Sequence, residues 1–316
     1  MSLDLAAIRA AHDRIRPYIV RTPVLASERL DAASGAALFF KCENLQHIGA
    51  FKARGATNAV FALPPDEAAR GVCTHSSGNH AAALARAAKL RGIAATIVMP
   101  ANTPAVKVRN VERFGARIVL CAPTARAREE TCARIVAETG ARLIHPFTNY
   151  DVMAGQGTAA LELLADVPAL DLVLCPVGGG GLLSGTAVAV KALQPQTRVI
   201  AVEPAGAADA AQSFRAGEVR PVAQVDTIAD GLRTTIGEEN LALVRRHVDD
   251  IVTVSDAEIV AAMRELWEAL RVVVEPSGAV PFAAVRAGLI PVQQRRVGII
   301  LSGGNVDLDA LPWMRK

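Results

Sequence analysis

Short apolar runs alternate with longer alanine-rich stretches along nearly the whole chain. Continuous apolar runs are typical of parallel strands covered on both faces, and here they occupy residues 36–41, 94–99, 116–120, 171–177, 197–203 and 296–302. Helical stretches lie between them, at residues 78–90, 123–139, 182–193 and 256–270. This alternation predicts an α/β fold with open, twisted, mainly parallel sheets flanked by helices.

The stretch at 256–270 carries the most complete helix pattern. Ser255 and Glu258 have the spacing of a capping box, which satisfies free N–H groups at a helix start. One face then repeats apolar side chains at helical spacing, at Ile259, Met263, Leu266 and Leu270.

The composition supports a large buried core. The chain has 316 residues, of which 51% are hydrophobic and 21% are charged, so disorder is not expected. The length allows two domains or one large α/β unit. Because the net charge is only +3 and 4% of residues are aromatic, nucleic acid is not an expected partner.

The cysteines and the N-terminus bear on the compartment. Five cysteines, with no CxxC pair, lie far apart at Cys42, Cys73, Cys121, Cys132 and Cys175. This dispersed set indicates reduced thiols and no disulfide framework or zinc site. The charged start of the chain does not resemble a signal peptide, and no apolar run approaches the length of a membrane span. We therefore expect a cytoplasmic protein with no membrane partner.

Parallel sheets bind ligands beyond the carboxyl ends of their strands, and "CPVGGGGLLSG" (175–185) is the strongest signal at such a position. A predicted strand runs into Gly178–Gly181, and a helix begins near Leu182. Bare backbone N–H groups and the positive end of a helix together favour a phosphate.

Two other motifs for this loop were compared. A Walker motif is excluded because no Lys-Ser/Thr pair follows the glycines. A dinucleotide fingerprint fits Gly179 and Gly181, but Ser184 stands where the third glycine belongs, and Glu203 lies at the distance of the ribose acid. A nicotinamide-linked enzyme therefore stays open as a rival interpretation.

Two further turns follow predicted strands. In "THSSGNHAAALA" (74–85), Ser76, Ser77 and Asn79 offer hydroxyls, an amide and free N–H groups at a helix start, which suit either a carboxylate or ordinary N-capping. We expect His80 to be a packed helix residue more than a base. In "LSGGNVD" (301–307), Ser302 ends a strand with its hydroxyl toward the cleft, although the sequence is also a good turn.

Lys52 lies in "QHIGAFKARGA" (46–56), after an apolar approach. Desolvation disfavours the ammonium form of a lysine, and the neutral amine is the form that attacks an aldehyde. A lysine for an imine, a glycine cradle for a phosphate and a polar group for a ring nitrogen together indicate pyridoxal 5'-phosphate.

Five segments of the chain resemble the motif set of the pyridoxal-phosphate-dependent serine/threonine dehydratases and serine racemase, the fold-type II (tryptophan synthase β-like) family. They are "GAFKARGATNA", "SSGNHAAALA", "AGQGTAALE", "PVGGGGLLSG" and "LSGGNVD", in the family's order over essentially the whole chain. The resemblance implies that Lys52 is the Schiff-base lysine, with Phe51 packing beside the cofactor. It departs at Ile48 and Ala50, where the family usually has hydroxyl residues.

The resemblance also implies roles for other residues. Asn79 would contact the cofactor's 3'-oxygen and Ser302 the pyridine nitrogen. The phosphate cup would comprise Gly178, Gly179, Gly180, Gly181 and Leu182, and the substrate carboxylate loop Ser76, Ser77, Asn79 and His80. The large cofactor domain would comprise residues 1–61 and 148–316, with a small mobile domain inserted at 62–147. A homodimer is the family expectation.

The expected activity is β-elimination of a 3-hydroxy amino acid, of the L-threonine/L-serine ammonia-lyase type, to a 2-oxo acid and ammonia. Lys52 would be the base. One alternative is a serine racemase with dehydratase side activity, because Ser77 matches the racemase's second acid. A second is a threo-3-hydroxyaspartate dehydratase, which would need a basic residue for the second carboxylate, from Arg54, Arg109, Arg128 or Arg233. A third is a non-catalytic amino-acid-binding protein, which would not need Lys52.

A metal site is implied by the same resemblance. Glu203, the main-chain oxygen of Ala207 and Asp209 match a site for Mg²⁺, Ca²⁺ or Mn²⁺, and oxygen ligands suit such hard cations. Read from the residues alone, the favoured explanation is two solvated acids on a loop, and the resemblance shifts the expectation to a metal site. Glu275 lies either near the ring or at the cap of the helix after it, and His145 is expected to be a structural histidine at a strand end.

Overall fold

The structure, a computed structural model, describes residues 2–314 and, at residue 106, the backbone alone. Its helices are α1 (Leu5–Ile15), α2 (Glu28–Ser34), α3 (Lys52–Ala62), α4 (Pro65–Ala69), α5 (Asn79–Arg91), α6 (Ala105–Glu112), α7 (Ala125–Thr139), α8 (Tyr150–Asp166), α9 (Gly181–Leu193), α10 (Asp209–Ala216), α11 (Glu238–His247), α12 (Asp256–Leu270) and α13 (Pro276–Arg286). Its strands are β1 (Val24–Leu25), β2 (Ala37–Cys42), β3 (Val72–His75), β4 (Ala95–Pro100), β5 (Arg117–Cys121), β6 (Arg142–Leu143), β7 (Leu172–Pro176), β8 (Arg198–Pro204), β9 (Asp250–Val254) and β10 (Arg296–Leu301).

The strands form two separate sheets. The six-stranded sheet has the order β1-β2-β10-β7-β8-β9, and only its β1–β2 pair is antiparallel. The four-stranded sheet has the order β5-β4-β3-β6 and is parallel throughout. The predicted α/β class with two mainly parallel sheets is confirmed. The capping box predicted at the start of α12 is also present.

The six-stranded sheet is buried on both faces, which explains why its strands are continuously apolar. Along β7, Leu172 and Leu174 point into a core shared with α12 and α13. Val173 and Cys175 point into the opposite core, formed with α1, α8 and α9. Neither face of β7 leaves a position for a polar residue.

The four-stranded sheet is built from one continuous part of the chain, residues 72–143. One of its faces packs against α5 and α3, with Ile97 and Met99 in the core. The other packs against α7 through Cys73 and Val98. These ranges lie within the predicted small domain, whose boundaries and mobility stay a prediction.

Several strands of both sheets end beside α3. The glycine loop follows β7, Ser302 follows β10, and the turn at residues 76–78 follows β3. Helix α3 packs against α5, α8 and α1. No helix in the described range, 2–314, has the length and hydropathy needed to cross a membrane.

Candidate active site

Lys52 is the first residue of α3, and the backbone before it turns sharply. Ile48 and Gly49 both have positive φ, of 58° and 72°. Such a backbone is unusual for a β-branched residue, and the Asn305 amide, which donates to the carbonyl of Ile48 at 2.8 Å, stabilises it. The Phe51 N–H then donates to the carbonyl of Ser302 at 3.0 Å. The start of α3 is thereby fixed to the end of β10.

The Lys52 amine is partly enclosed. Its Nζ donates to the carbonyl of Pro146 at 2.9 Å and lies 5.1 Å from the centre of the Phe51 ring. Burial lowers the pKa of Lys52 from its ordinary 10.5 to about 8. A substantial fraction of this amine is therefore neutral near physiological pH, as a nucleophile or proton acceptor requires.

The segment that receives the Lys52 hydrogen bond also packs on the glycine loop. A Cβ at Gly179 would lie 2.4 Å from the Phe147 ring, and one at Gly181 would lie 3.1 Å from its Cα. Gly180 has φ of 91° and caps α9, which begins at Gly181. Side chains are excluded here by contact and by backbone conformation, so free N–H groups at the start of α9 form the surface of the loop.

Residues 232–240, which were not predicted to belong to the site, pack against the glycine loop. A Cβ at Gly178 would lie 2.9 Å from the Cα of Leu232. The Asn240 amide donates to the carbonyl of Phe147 at 3.1 Å and to Ser184 Oγ at 3.2 Å. The segment "TTIGEEN" (234–240) contained a usable signal, because Gly237 stands directly before a helix. The residue to identify was Asn240, in the first turn of that helix.

Asn79 and the turn after β10 are connected by a chain of hydrogen bonds. The Asn79 amide donates to Glu275 Oε1 at 3.1 Å, and its oxygen accepts from the Asn305 amide at 2.9 Å. Glu275 Oε2 also accepts from the Asn305 N–H at 3.0 Å. Glu275 stands at the N-cap position of α13, but its side chain makes no capping hydrogen bond there. Burial raises the pKa of this carboxyl to about 7, and Ser302 is buried beside the same turn.

The predicted carboxylate turn is half-buried from Ser76 to Asn79. Ser76 Oγ accepts from the Gly78 N–H at 3.3 Å. His80 is buried, and its Nε2 lies 3.1 Å from the carbonyl of Ile144. A carbonyl only accepts, so Nε2 carries the proton and Nδ1, which has no partner within residues 2–314, is an acceptor. The imidazole in this form has no N–H left for a carboxylate, whereas the backbone N–H groups at the start of α5 stay candidates for that role.

Neutral imidazoles surround the Lys52 amine. Burial lowers the pKa of His145 to about 4, with further contributions from the charges of His75 and Lys52. Burial likewise holds the pKa of His80 well below its usual value, and the Lys52 charge adds to this. His145 Nδ1 accepts from the Phe147 N–H at 3.4 Å and from the Thr148 N–H at 3.2 Å, as expected of a structural histidine.

The predicted metal ligands lie at the end of β8 and the start of α10. Both oxygens of buried Glu203 accept backbone N–H groups at 2.9 Å, and Asp209 Oδ2 accepts from the Ile236 N–H at 2.7 Å. Burial raises the pKa of Glu203 to about 8 and that of Asp209 to about 6. Ala207 is buried between them in sequence. In the described part of the chain, no three or more His, Cys, Asp or Glu side chains form a metal cluster.

Arg54 was a candidate for a second substrate carboxylate, and the structure excludes it. Its guanidinium is fully buried and binds Glu43 and Glu162, with hydrogen bonds of 2.7 to 2.8 Å. Glu162 also accepts from buried Lys41 at 2.6 Å. A side chain whose donors are satisfied inside the core has none left for a ligand. We call these four residues the buried ion network.

The other three arginine candidates differ in exposure. The side chains of Arg109 and Arg233 are exposed. Arg128 is half-buried on α7 near His75. Burial lowers the pKa of His75; the charge of Glu129 opposes this decrease and the charge of Arg128 adds to it. The ring of His75 lies 5.3 Å from that of His145. Of the four, Arg128 is the one whose charge acts on His75, and His75 in turn lies beside His145.

Comparison with known proteins gives consistent matches over the whole chain. The family model described as "Pyridoxal-phosphate dependent enzyme" matches residues 15–303. A β-hydroxyaspartate dehydratase of Paracoccus denitrificans (strain Pd 1222) is 51% identical over 304 residues, 96% of each chain. A serine racemase of Oryza sativa subsp. indica is 51% identical over 313 residues, covering 98% of this chain and 92% of the relative. The solved structure of maize serine racemase superposes with a TM-score of 0.96 at 48% identity, covering 99% of this chain and 97% of that one.

Proposed function

The chain belongs to the pyridoxal-phosphate-dependent enzymes, and from this premise we propose that it converts a 3-hydroxy amino acid to a 2-oxo acid and ammonia by β-elimination. The observation that carries the proposal is the Lys52 amine. It is partly enclosed, its pKa is lowered to about 8, and Pro146 and Phe147 connect it to the glycine loop. A nicotinamide enzyme would need the loop but not this amine.

The residues fit the cofactor. N–H groups at the start of α9 suit its phosphate, because a helix N-terminus favours negative charge and the glycines leave space for close approach. Lys52 would hold its aldehyde carbon, with Phe51 beside the ring. Ser302, buried one hydrogen bond from Phe51, would face the ring nitrogen, and Asn79 the 3'-oxygen. Leu182 is buried behind the loop.

When bound, the cofactor withdraws electrons from the substrate Cα so that its proton can leave. Lys52 Nζ accepts this proton, because its lowered pKa keeps an unprotonated fraction available. Ser76, Ser77 and the N–H groups at the start of α5 hold the substrate carboxylate. The β-hydroxyl would leave as water together with one proton, and the released enamine would tautomerise to an imine that water hydrolyses to the 2-oxo acid and ammonia. The neutral hydroxyl of Ser302 does not hold a full charge on the ring nitrogen, which favours direct elimination over transamination.

A second candidate activity is racemisation of serine, and Ser77 supports it. Its half-buried hydroxyl lies in the turn between β3 and α5, where it would deliver a proton to the second face of Cα. Ser77→Ala is expected to abolish D-serine formation and to leave pyruvate formation intact. Equal loss of both products would remove the two-face assignment.

The substrate side chain is the next question. We propose serine and threonine as the first substrates, with threo-3-hydroxyaspartate as the alternative that half-buried Arg128 supports. Arg128→Met should then reduce turnover of 3-hydroxyaspartate and leave serine turnover unchanged. Arg126→Met is the matched control, because Arg126 lies two residues earlier on α7 and is 86% exposed. Equal effects of both variants on both substrates would exclude Arg128 from recognition.

We also propose a bound divalent cation at Glu203, Asp209 and the carbonyl of Ala207. Glu203 and Asp209 are buried and form no salt bridge inside residues 2–314, and burial raises the pKa of both, so a divalent cation would stabilise their ionised form. Oxygen ligands of this kind suit Mg²⁺, Ca²⁺ or Mn²⁺.

Three coarser features complete the proposal. Residues 62–147 would form a mobile small domain, joined to the rest by contacts such as the Lys107–Asp230 ion pair. The family resemblance supports a homodimer, and five free cysteines support a reducing, cytoplasmic compartment. Sedimentation and fractionation would test the last two.

The deciding experiment combines the colour of the bound cofactor with an analysis of the reaction products. Purified protein with pyridoxal 5'-phosphate should turn yellow, and borohydride should fix the cofactor on a peptide containing Lys52. A panel of 3-hydroxy amino acids should then yield 2-oxo acid and ammonia in equal amounts. A Lys52→Arg variant that is colourless and inactive is the expected control, whereas an active one would refute the proposal. A coloured protein that releases no ammonia from the panel would exclude the lyase assignment.

A further inference from the structure

Two thiols meet in the core between β3 and α7. The Sγ atoms of Cys73 and Cys132 lie 3.1 Å apart, close enough for one thiol to hydrogen-bond to the other. Both side chains are buried, with exposed fractions of 0% and 1%, among Val98, Ile135 and Ala141. The proposed reaction uses neither thiol.

The geometry is close to that of a disulfide. A disulfide bond is about 2.05 Å long, so the two sulfurs would have to approach by about 1 Å. Because β3 packs directly on α7, the two side chains already face each other. In residues 2–314 no other pair of sulfurs is in contact: Cys42 and Cys175 hydrogen-bond to carbonyls, and Cys121 is half-exposed on β5.

The hydrogen bond shifts the pKa values of the two thiols in opposite directions. It lowers the pKa of Cys132, against the effect of burial, and the same contact together with burial raises that of Cys73. The thiolate is the reactive form of cysteine. Cys132 is therefore the sulfur expected to react first, with Cys73 in position to resolve the product.

We propose that Cys73 and Cys132 form a reversible disulfide when the protein meets a hydroperoxide. The Cys132 sulfur attacks the peroxide oxygen, the O–O bond breaks, and a sulfenic acid and water form when the oxidant is hydrogen peroxide. The Cys73 sulfur then attacks the sulfenic sulfur, an S–S bond forms, and the S–O bond breaks to release a second water. Two thiols are oxidised by two electrons while one peroxide is reduced. A small dithiol reverses the change by exchange.

The pair lies directly behind the predicted substrate turn. Cys73 precedes Ser76 by three residues on a strand whose next residue, Thr74, is held by a 2.8 Å hydrogen bond to the carbonyl of Ile144. Cores are close-packed and transmit small shifts, so contraction between β3 and α7 should displace the turn. Loss of one hydrogen bond to the charged carboxylate corresponds to a rise in substrate KM of about 10- to 150-fold. The change in KM rests on the proposed function, whereas disulfide formation does not.

The test treats the holoenzyme with limiting hydrogen peroxide and follows intact mass and non-reducing peptide maps. The expected result is loss of two hydrogen atoms, one peptide pair joined through Cys73 and Cys132, and full reversal by dithiothreitol. Cys121→Ser should behave as wild type, and Cys132→Ala should not lose the two hydrogens. Cys73→Ala is the second variant, should Cys132→Ala fail to fold.

Two results would overturn the inference. One is an unchanged mass, and the other is oxygen addition at Cys121 with both buried thiols still alkylatable after unfolding. Kinetics test the link to the turn separately. The KM of the fully oxidised enzyme should rise and return to its original value on reduction, and an unchanged KM would refute that link alone.

Discussion

Replacing Arg54 by methionine removes the centre of the buried ion network. The guanidinium donates four hydrogen bonds of 2.7 to 2.8 Å to Glu43 and Glu162. Methionine fills a similar volume but leaves two buried carboxylates with a single cation, Lys41. Breaking such a pair costs about 3–5 kcal/mol. With an unfolding entropy of about 2.1 cal/mol/K per residue, a chain of 316 residues loses about 1.5 °C of Tm per kcal/mol. We expect a Tm lower by about 5–8 °C.

The pH dependence of the loss tests its electrostatic origin. Burial alone would raise the pKa of Glu162, but hydrogen bonds and charges from Arg54 and Lys41 outweigh it and hold the pKa below its ordinary value. The pair therefore stabilises the fold above the unfolded-state pKa, and this contribution is lost as the pH falls through the folded-state pKa. In Arg54→Met burial prevails, and protonation relieves the penalty. The deficit in Tm should thus be largest near neutrality and shrink toward about pH 4.

Thermal unfolding by circular dichroism measures both effects, with and without added cofactor. Arg126→Met is the control, because Arg126 forms an exposed ion pair with Glu130 on α7. Pairs of this kind contribute about 0.3–0.5 kcal/mol. Equal Tm shifts for the two variants, or a deficit that does not change with pH, would show that the network does not stabilise the fold.

Three further predictions concern the site. Gly179→Ala places a Cβ 2.4 Å from the Phe147 ring, and overpacking of about 1–3 kcal/mol should weaken cofactor binding roughly 5- to 150-fold in a titration of the apoprotein; unchanged affinity would argue against a tight loop. The rate of forming coloured holoenzyme should rise with pH with a midpoint near 8, where half of the Lys52 amine is neutral; a midpoint near the ordinary value of 10.5 would indicate an exposed lysine. Chelation should lower the Tm, and Mg²⁺ should restore it in wild type but not in Glu203→Gln; a Tm that ignores chelator would exclude the metal.

Local sequence predicted the parts of the site that follow strands. The glycine loop, the Ser76 turn and Ser302 each stand where a buried strand ends, so the pattern of apolar runs was enough to propose them as parts of the site. The supporting contacts were not predictable in this way. Asn240 and Phe147 are 93 residues apart, and Asn79 and Glu275 are 196 apart. Nothing in either segment alone says that the other lies beside it.

The error at Arg54 has a physical cause that helix geometry exposes. Residues two apart on an α-helix point about 200° from each other, so Arg54 cannot share the face of Lys52 on α3. Arg54 was one of four arginine candidates with no position in space, and the helix directs Lys52 to the cleft and Arg54 into the core. A helical projection would have found this, given that α3 begins at Lys52.

Because those two faces are opposite, the buried ion network also bears on the amine. Rotation of α3 about its axis would move Arg54 away from both carboxylates and Lys52 away from Pro146 together. The same helix is fixed at Gly55, whose N–H donates to the Gln156 side chain at 3.0 Å. A Cβ at Gly155 of α8 would lie 2.6 Å from the Cα of Gly55, so the two backbones touch there. The buried ion network and the close crossing of α3 and α8 thus hold α3 in one orientation. They thereby set the direction in which the Lys52 amine points.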